Sequence, residues 1–270
     1  MKNKEIRITK ENDIFQHMIV LKNNRNKRYK AHEFVVEGVD NINLAVKKGW
    51  KINHWLYDSF SNLSNWAKDK VCKVKTEVDY SFSADLMAKI SSKTDTSELM
   101  CVVEMQKQKI SLSKNPKIIL LDRPSKHGNL GSIIRSAEAF GFDGIIITGH
   151  AVDHYAPEVV TSSMGSIFSI PVEIITRNEE VLARINDLKE KYQDFQVVAT
   201  LLDGAIEIDK VDFTKPTLLL MGNEGEGLNN FYREICDIKT KIPMQGDVDS
   251  FNIACATSIF MYEINRQRGL

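Results

Sequence analysis

Three loops of this chain carry residues suited to holding a ligand. The first runs Asp122-Arg123-Pro124-Ser125-Lys126-His127-Gly128-Asn129-Leu130-Gly131 and opens into a helical stretch containing Arg135. Gly128 permits a tight turn, and Asn129 is placed to cap the helix. Arg135, about a turn and a half further on, is placed to reach back to a phosphate near the helix start. The second loop, Gly222-Asn223-Glu224-Gly225-Glu226-Gly227-Leu228, puts three glycines within six residues, which allows close backbone approach to a ligand. Neither loop spells a nucleotide fingerprint. The first lacks GxGxxG, and the second ends Gly-Leu-Asn where a P-loop has Gly-Lys-Ser/Thr. Two acids in the second loop would repel a triphosphate, so a neutral or cationic ligand fits better. The third loop, Ile242-Pro243-Met244 through Asp249-Ser250-Phe251-Asn252, leads into an apolar helix. Asp249 or Ser250 is expected to cap that helix. Asn252 falls in its first turn, where asparagine gains little from the local backbone.

Other chemistry is sparse. The six histidines form no metal constellation, and His150 and His154, though spaced i,i+4, precede Pro157 in what reads as an exposed loop. No metal is expected. Cys72, Cys101, Cys236 and Cys255 form no CxxC pair. They read as small buried hydrophobes in a reducing compartment. Residues 22–30 are strongly basic through Lys22, Arg25, Lys27, Arg28 and Lys30, a loop suited to phosphate contacts, with Tyr29 and His32 available to stack on bases.

The elements that would position these loops alternate between strand and helix. Residues 11–22 read as a helix with Ile14, Phe15, Met18 and Leu21 on one stripe. Strands are expected at 33–36, 52–57, 71–75 and 99–105, with helices at 38–48, 61–69 and 83–90. That pattern predicts a small α/β sandwich with a largely parallel sheet. Residues 106–116 read as a linker ending in Asn-Pro. The alternation then restarts. Strands are expected at 118–121, 144–148, 172–175, 195–202, 217–221 and 237–242, with helices at 129–140, 156–165, 178–192 and 250–266. The three loops all fall where strands hand over to helices, the ligand-binding end of open α/β sheets.

Length and composition agree with one large or two modest soluble domains. Of 270 residues, 43% are hydrophobic and 27% charged, which excludes a disordered tail or a collagen-like fibre. No run approaches the roughly 18 apolar residues of a membrane span, and the charged N-terminal stretch lacks the apolar core of a signal peptide. A cytoplasmic location is expected. The balance of 36 Lys+Arg against 36 Asp+Glu hides an asymmetry, because residues 1–110 carry a net +6 and residues 111–270 a net −6.

The loop residues resemble a known family. Asn129-Leu130-Gly131-Ser132-Ile133-Ile134-Arg135-Ser136-Ala137-Glu138-Ala139-Phe140-Gly141, then Gly222 to Leu228, then Ile242-Pro243-Met244 through Ser250-Phe251-Asn252, are similar to motifs one, two and three of the SpoU (TrmH-like) RNA 2′-O-ribose methyltransferases of the SPOUT superfamily. The resemblance covers residues 117–266. Residues 11–105 more loosely resemble the ribosomal-protein-like substrate-binding domain that many members carry. The implied organisation is an RNA substrate-binding domain at 1–105, a linker at 106–116 and an α/β-knot methyltransferase domain at 117–270, with a trefoil knot. A homodimer with its site at the interface is also implied.

The resemblance implies S-adenosylmethionine as cofactor, held by Thr200, Leu201, Gly222, Asn223, Ile242, Met244, Ser250 and Phe251. It implies catalytic roles for Asn129, Arg135, Glu224 and Asn252. The family proposal makes the motif-one arginine the base, but arginine stays protonated in proteins. Arg135 is better read as a phosphate clamp and alkoxide stabiliser, with Asn129, Glu224 and Asn252 orienting it and the ribose. RNA contacts are expected from Arg25, Lys27, Arg28, Lys30, Arg123 and Lys126. Lys126-His127 stand where many members have Asp-Pro, Asn223 where Ser is common, and Asp249 and Phe251 where Glu and Leu are common.

The expected activity is methyl transfer to a ribose 2′-hydroxyl of ribosomal (23S) RNA. The N-terminal domain favours rRNA over the alternative, tRNA. A non-catalytic RNA-binding or ribosome assembly factor is the competing class, opposed by the intact Asn129, Arg135, Glu224 and Asn252 set. A nucleotide-dependent enzyme is disfavoured by the missing phosphate fingerprints.

Overall fold

A computed structural model describes residues 4–247 and 249–269. In chain order its elements are β1 (Lys4–Ile8), α1 (Asp13–Asn23), α2 (Arg25–Ala31), β2 (Glu33–Glu37), α3 (Val39–Lys47), β3 (Ile52–Tyr57), α4 (Asn65–Lys73), β4 (Val78–Phe82), α5 (Ala84–Ile90) and β5 (Leu99–Glu104). They continue with β6 (Lys117–Asp122), α6 (His127–Ala139), β7 (Gly144–Thr148), α7 (Pro157–Ser162), β8 (Val172–Ile175), α8 (Asn178–Lys191) and β9 (Gln196–Thr200). The last are β10 (Ile206–Glu207), β11 (Thr217–Met221), α9 (Asn230–Ile235), β12 (Ile238–Lys241) and α10 (Ile253–Gln267). The chain divides into two units. One takes in the chain through Lys107 together with Asp153–Ser169, and the other Gln108–Val152 and Ile170 onward.

The first unit is built on a five-stranded sheet in the order β1-β4-β3-β5-β2. It is mixed rather than largely parallel: β1, β4 and β3 run parallel, while β5 is antiparallel to both β3 and β2. The expected stripe on α1 puts Phe15, Met18 and Leu21 into a core with Leu86, Met87 and Ile90 of α5 and Val35, Leu56 and Val102 of the sheet. Burying each such side chain stabilises the fold by ~1.5–3 kcal/mol before entropy is counted. Phe34, Trp50, Tyr155 and Phe168 form an aromatic cluster, and the Trp50 indole N–H donates to the Phe168 carbonyl over 3.1 Å. The segment Asp153–Ser169 thus supplies part of this unit's core.

Three further expectations are corrected. Residues 71–75 are not a strand. Ser64 caps a helix by accepting from the Ala67 N–H, and Ala67 and Val71 are buried at i,i+4, so the strand begins only at Val78. The basic run is not a loop, because Asn24 accepts from the Lys27 N–H and starts α2, which closes at His32 in the left-handed region. Of the four cysteines only Cys101 is buried. Cys72 and Cys255 are exposed and Cys236 is half-buried.

The second unit carries a seven-stranded, wholly parallel sheet in the order β10-β12-β9-β11-β6-β7-β8. All of Lys117–Asp122 and Thr217–Met221 is buried, as parallel strands covered on both faces require. Val181, Ile185 and Leu188 of α8 pack against Ile118, Leu120, Val197 and Leu218. Part of the expected linker is pinned here: the Ile110 N–H donates to Glu173, and a Cβ on Gly144 would lie 2.5 Å from Ile110. The C-terminal ends of β6, β9, β11 and β12 open onto the three loops singled out by sequence.

Candidate active site

The first loop leaves β6 at Asp122, whose buried carboxylate accepts from the Asn229 N–H at 2.8 Å and from the Arg123 Nε at 3.0 Å. Lys126, not Asn129, is the N-cap of α6, and its side chain makes no cap bond. Asn129 lies one residue into the first turn beyond Gly128. The donors entering the helix are met from the second loop instead. Glu224 accepts from the Ser125 N–H (3.0 Å), the Ser125 hydroxyl (2.7 Å) and the Lys126 N–H (3.2 Å), and from the Asn129 side-chain amide (3.1 Å). A carboxylate at a helix N-terminus is favoured by the unsatisfied N–H groups there. Burial alone would raise the Glu224 pKa, but these hydrogen bonds outweigh it and hold the carboxyl below its ordinary range. Glu224 is an acceptor with no proton to give.

The second loop is closed on itself. The Asn223 N–H donates to the Gly227 carbonyl (2.9 Å), and the Gly227 N–H returns to Asn223 (3.0 Å). A Cβ on Gly222 would sit 2.5 Å from the backbone of Gly227 and Leu228, so only glycine fits. The Asn223 side chain accepts from the Gly225 and Glu226 N–H groups and donates to the Arg123 carbonyl at 2.6 Å. Where Ser is common, asparagine here knits two loops together.

In the third loop Asn252, rather than Asp249 or Ser250, is the N-cap of α10. Its side-chain oxygen accepts from the Ala254 and Cys255 N–H groups, and its amide donates to the Asn129 oxygen at 3.1 Å. Asn252, Asn129 and Glu224 therefore form one directed chain of hydrogen bonds across all three loops.

These loops enclose a cavity of about 560 Å³, within the range of small-ligand pockets. All eight expected cofactor positions, Thr200, Leu201, Gly222, Asn223, Ile242, Met244, Ser250 and Phe251, line it, as do Lys126, Asn129, Glu224 and Asn252. Met221, Leu228 and Phe260 form a buried floor, while Leu202 and Phe251 remain exposed at its mouth. Sequence reading missed Asp203, Arg233 and Lys241, which also line it. Asp203 lies past the end of β9, Arg233 within α9 and Lys241 at the last position of β12, all outside the three motifs, so nothing local marks them.

Arg135 is not among the lining residues. It is exposed on α6, six residues beyond Asn129 and so about 120° around the helix from it. Among the described residues no ion pair or hydrogen bond holds its guanidinium.

The expected RNA contacts differ in how far their side chains are committed. Lys27, Lys30 and Lys126 are exposed, and Arg25 is half-buried with its guanidinium 5.6 Å from the Tyr29 ring centre. Arg28 is removed from the set. It is buried, pairs with Asp153 at 2.6 Å, and donates to the Leu21 and Lys22 carbonyls. Tyr29 is likewise committed, its hydroxyl donating to Asp153 at 3.2 Å. Arg123 is held by Asp122 and Glu226. His150 is exposed as expected, but His154 is buried, and burial pushes its pKa down to about 4. Among the described residues no cluster suited to a metal is present, and no helix is long and apolar enough to cross a membrane.

Comparison with known proteins identifies the family. The model of the SpoU rRNA Methylase family matches residues 116–262, and that of the SpoU L30e-like domain matches residues 12–101. The chain belongs to the SpoU rRNA methylase family. Among its SpoU relatives, the 23S rRNA (uridine(2479)-2′-O)-methyltransferase of Streptomyces viridochromogenes is 41% identical over 97% of this chain and 92% of the relative. The 23S rRNA (guanosine(2553)-2′-O)-methyltransferase of Bacillus subtilis is 24% identical over 89% of this chain and 91% of its own. The crystal structure of the SpoU methyltransferase AviRb from S. viridochromogenes in complex with AdoMet superposes with a TM-score of 0.90 at 40% identity, covering 96% of this chain and 98% of that one. An AdoMet-bound rRNA methyltransferase from Sinorhizobium meliloti gives 0.82 at 27% identity, over 97% and 98%.

Proposed function

We propose that this chain is an S-adenosylmethionine-dependent methyltransferase acting on a ribose 2′-hydroxyl of 23S rRNA. The observation that carries this reading is the single cavity that gathers all eight expected cofactor positions beside Asn129, Glu224 and Asn252. The residues fit the cofactor. Leu201, Ile242 and Phe251 offer apolar surface to a purine, and Gly222 leaves backbone accessible. The lining acids Asp203, Glu224, Glu226 and Asp249 outnumber the bases Lys126, Arg233 and Lys241, which suits a cation. When bound, the cofactor supplies an electrophilic methyl group on a sulfonium. Both named relatives are 23S rRNA 2′-O-methyltransferases.

The chain's own contribution is alignment and charge stabilisation, which account for much of a two-substrate transfer. Glu224, ionised and fully engaged, positions Asn129 rather than accepting a proton. Arg135 clamps an RNA phosphate and stabilises the developing alkoxide. Arg135 does not line the cavity of its own chain, and the homodimer implied by the family resemblance would bring the partner's Arg135 to the site. Residues 1–105 would grip the RNA through Arg25, Lys27 and Lys30, and residues 117–270, with the trefoil-knotted path of the family, would carry out transfer. An enzyme of ribosomal RNA works where ribosomes are made, in the cytoplasm.

The test is transfer of a labelled methyl group from S-adenosylmethionine to unmodified ribosomal RNA, with mapping of ribose-methylated positions. One 2′-O-methylated site in 23S rRNA is expected. Methylation of tRNA alone, or cofactor binding with no transfer to any RNA, would overturn the reading. Arg135→Ala should abolish transfer while cofactor binding and the dimer persist.

A further inference from the structure

We propose that Arg123 is a positioning residue that latches the acidic Gly222–Leu228 loop over the cofactor cavity, and not an RNA ligand. Its guanidinium is committed on two sides. Nε and Nη2 donate to the two oxygens of buried Asp122 at 3.0 and 3.1 Å, and Nη1 pairs with the Glu226 carboxylate. A fork on one carboxylate with a third donor on another is a use of arginine that lysine cannot reproduce.

The backbone agrees with this role. Arg123 adopts the left-handed region at φ 49°, which is costly for a residue with a Cβ unless the surroundings impose it. Its side chain lies over Gly149, where an added Cβ would come within 2.6 Å of it. Its carbonyl receives the Asn223 side-chain amide, so the residue grips the loop at both Asn223 and Glu226. The second grip matters because Glu226 is otherwise exposed, with 73% of its side chain accessible, at the edge of the cavity. Between those two anchors sits Glu224, the acceptor that fixes the start of α6. Releasing Arg123 frees the loop that carries both the cofactor-facing Gly222 and the Glu224 clamp.

The latch rests on the cofactor assignment above, so the test separates the two. S-adenosylmethionine affinity is measured by calorimetry on the full chain, its Arg123→Gln and Glu226→Gln variants, the double variant and Arg123→Lys. Each glutamine variant should bind about tenfold more weakly, the double variant no more weakly than the worse single one, and Arg123→Lys should recover only part of the loss. RNA affinity and its salt dependence should be unchanged in Arg123→Gln. Unchanged cofactor affinity in both single variants overturns the latch, as does a shallower salt dependence of RNA binding in Arg123→Gln with cofactor affinity intact. Additive losses in the double variant overturn it too, since each side chain would then act on its own. If the wild-type chain binds no cofactor, the cofactor assignment fails instead. Hydrogen exchange at the Gly225 and Glu226 amides then decides the latch: about tenfold faster exchange in Arg123→Gln supports it, and unchanged exchange refutes it.

Discussion

The Asn252 side-chain amide donates to the Asn129 side-chain oxygen across 3.1 Å, joining residues 123 positions apart. The link has a direction. Asn252 takes helix N–H groups with its oxygen and gives its own N–H to Asn129, which in turn gives to Glu224. No amide in the chain can be reversed without facing acceptor to acceptor.

Asn252→Asp keeps an N-cap oxygen but loses the donor toward Asn129. Aspartate caps as well as asparagine, so thermal stability should change by less than about 1 kcal/mol. Methyl transfer should fall about tenfold or more, the equivalent of one lost hydrogen bond with a repulsion added. Asn252→Ala should additionally lower the melting temperature, since it also removes the cap.

Glu224 has a folded-state pKa below its ordinary value, so the folded state binds the proton less readily than the unfolded one. Its stabilising contribution is present above the unfolded carboxyl pKa and is lost as pH falls through the folded value. Unfolding measured across acid pH should show this loss, and Glu224→Gln should flatten it. Activity between about pH 6 and 9 should show no ionisation traceable to Glu224, because that window lies above the usual carboxylate range.

Arg28 and its neighbours should separate cleanly. Arg28→Ala strands buried Asp153 without its counter-ion and should cost about 3–5 kcal/mol of stability, read by denaturant unfolding. Lys27→Glu with Lys30→Glu, both on exposed side chains, should leave stability nearly unchanged. That pair should weaken RNA binding and reduce the salt slope by about two contacts.

His154 is buried with its pKa pushed down to about 4, so the folded state resists protonation that the unfolded chain accepts at an ordinary histidine value. Stability should be full above about pH 6.5 and decline as pH falls from there toward 4, with about one proton taken up on unfolding. His154→Phe should remove that part of the decline.

The site was legible in the sequence where neighbours in the chain carry the signal. Gly222 and Gly227 bracket a loop that only glycine can close, and Asn129, Glu224 and Asn252 each belong to a compact motif. Arg28 was misread because the residue that claims it, Asp153, lies 125 positions away, beyond the reach of any local pattern. Tyr29 failed for the same reason. The strand expected at 71–75 was drawn by β-branched Val71 and Val74, while the cap at Ser64 and the i,i+4 burial of Ala67 and Val71 decided for helix. The RNA role expected of Arg123 rested on charge alone, whereas its two carboxylate partners come from the adjacent residue and from a loop 103 positions on.

The segment Asp153–Ser169 has a consequence for how the chain is made. The first unit begins at the N-terminus, yet the counter-ion of Arg28 and the aromatic partners of Phe34 and Trp50 belong to that later segment. During synthesis this unit stays open, with an unneutralised arginine and bare rings, until Ser169 has left the ribosome. By then β6, α6 and β7 of the other unit have already emerged. The N-terminal unit is the first to start, yet it cannot close until part of the other unit is already outside, so the synthesis of the two units overlaps.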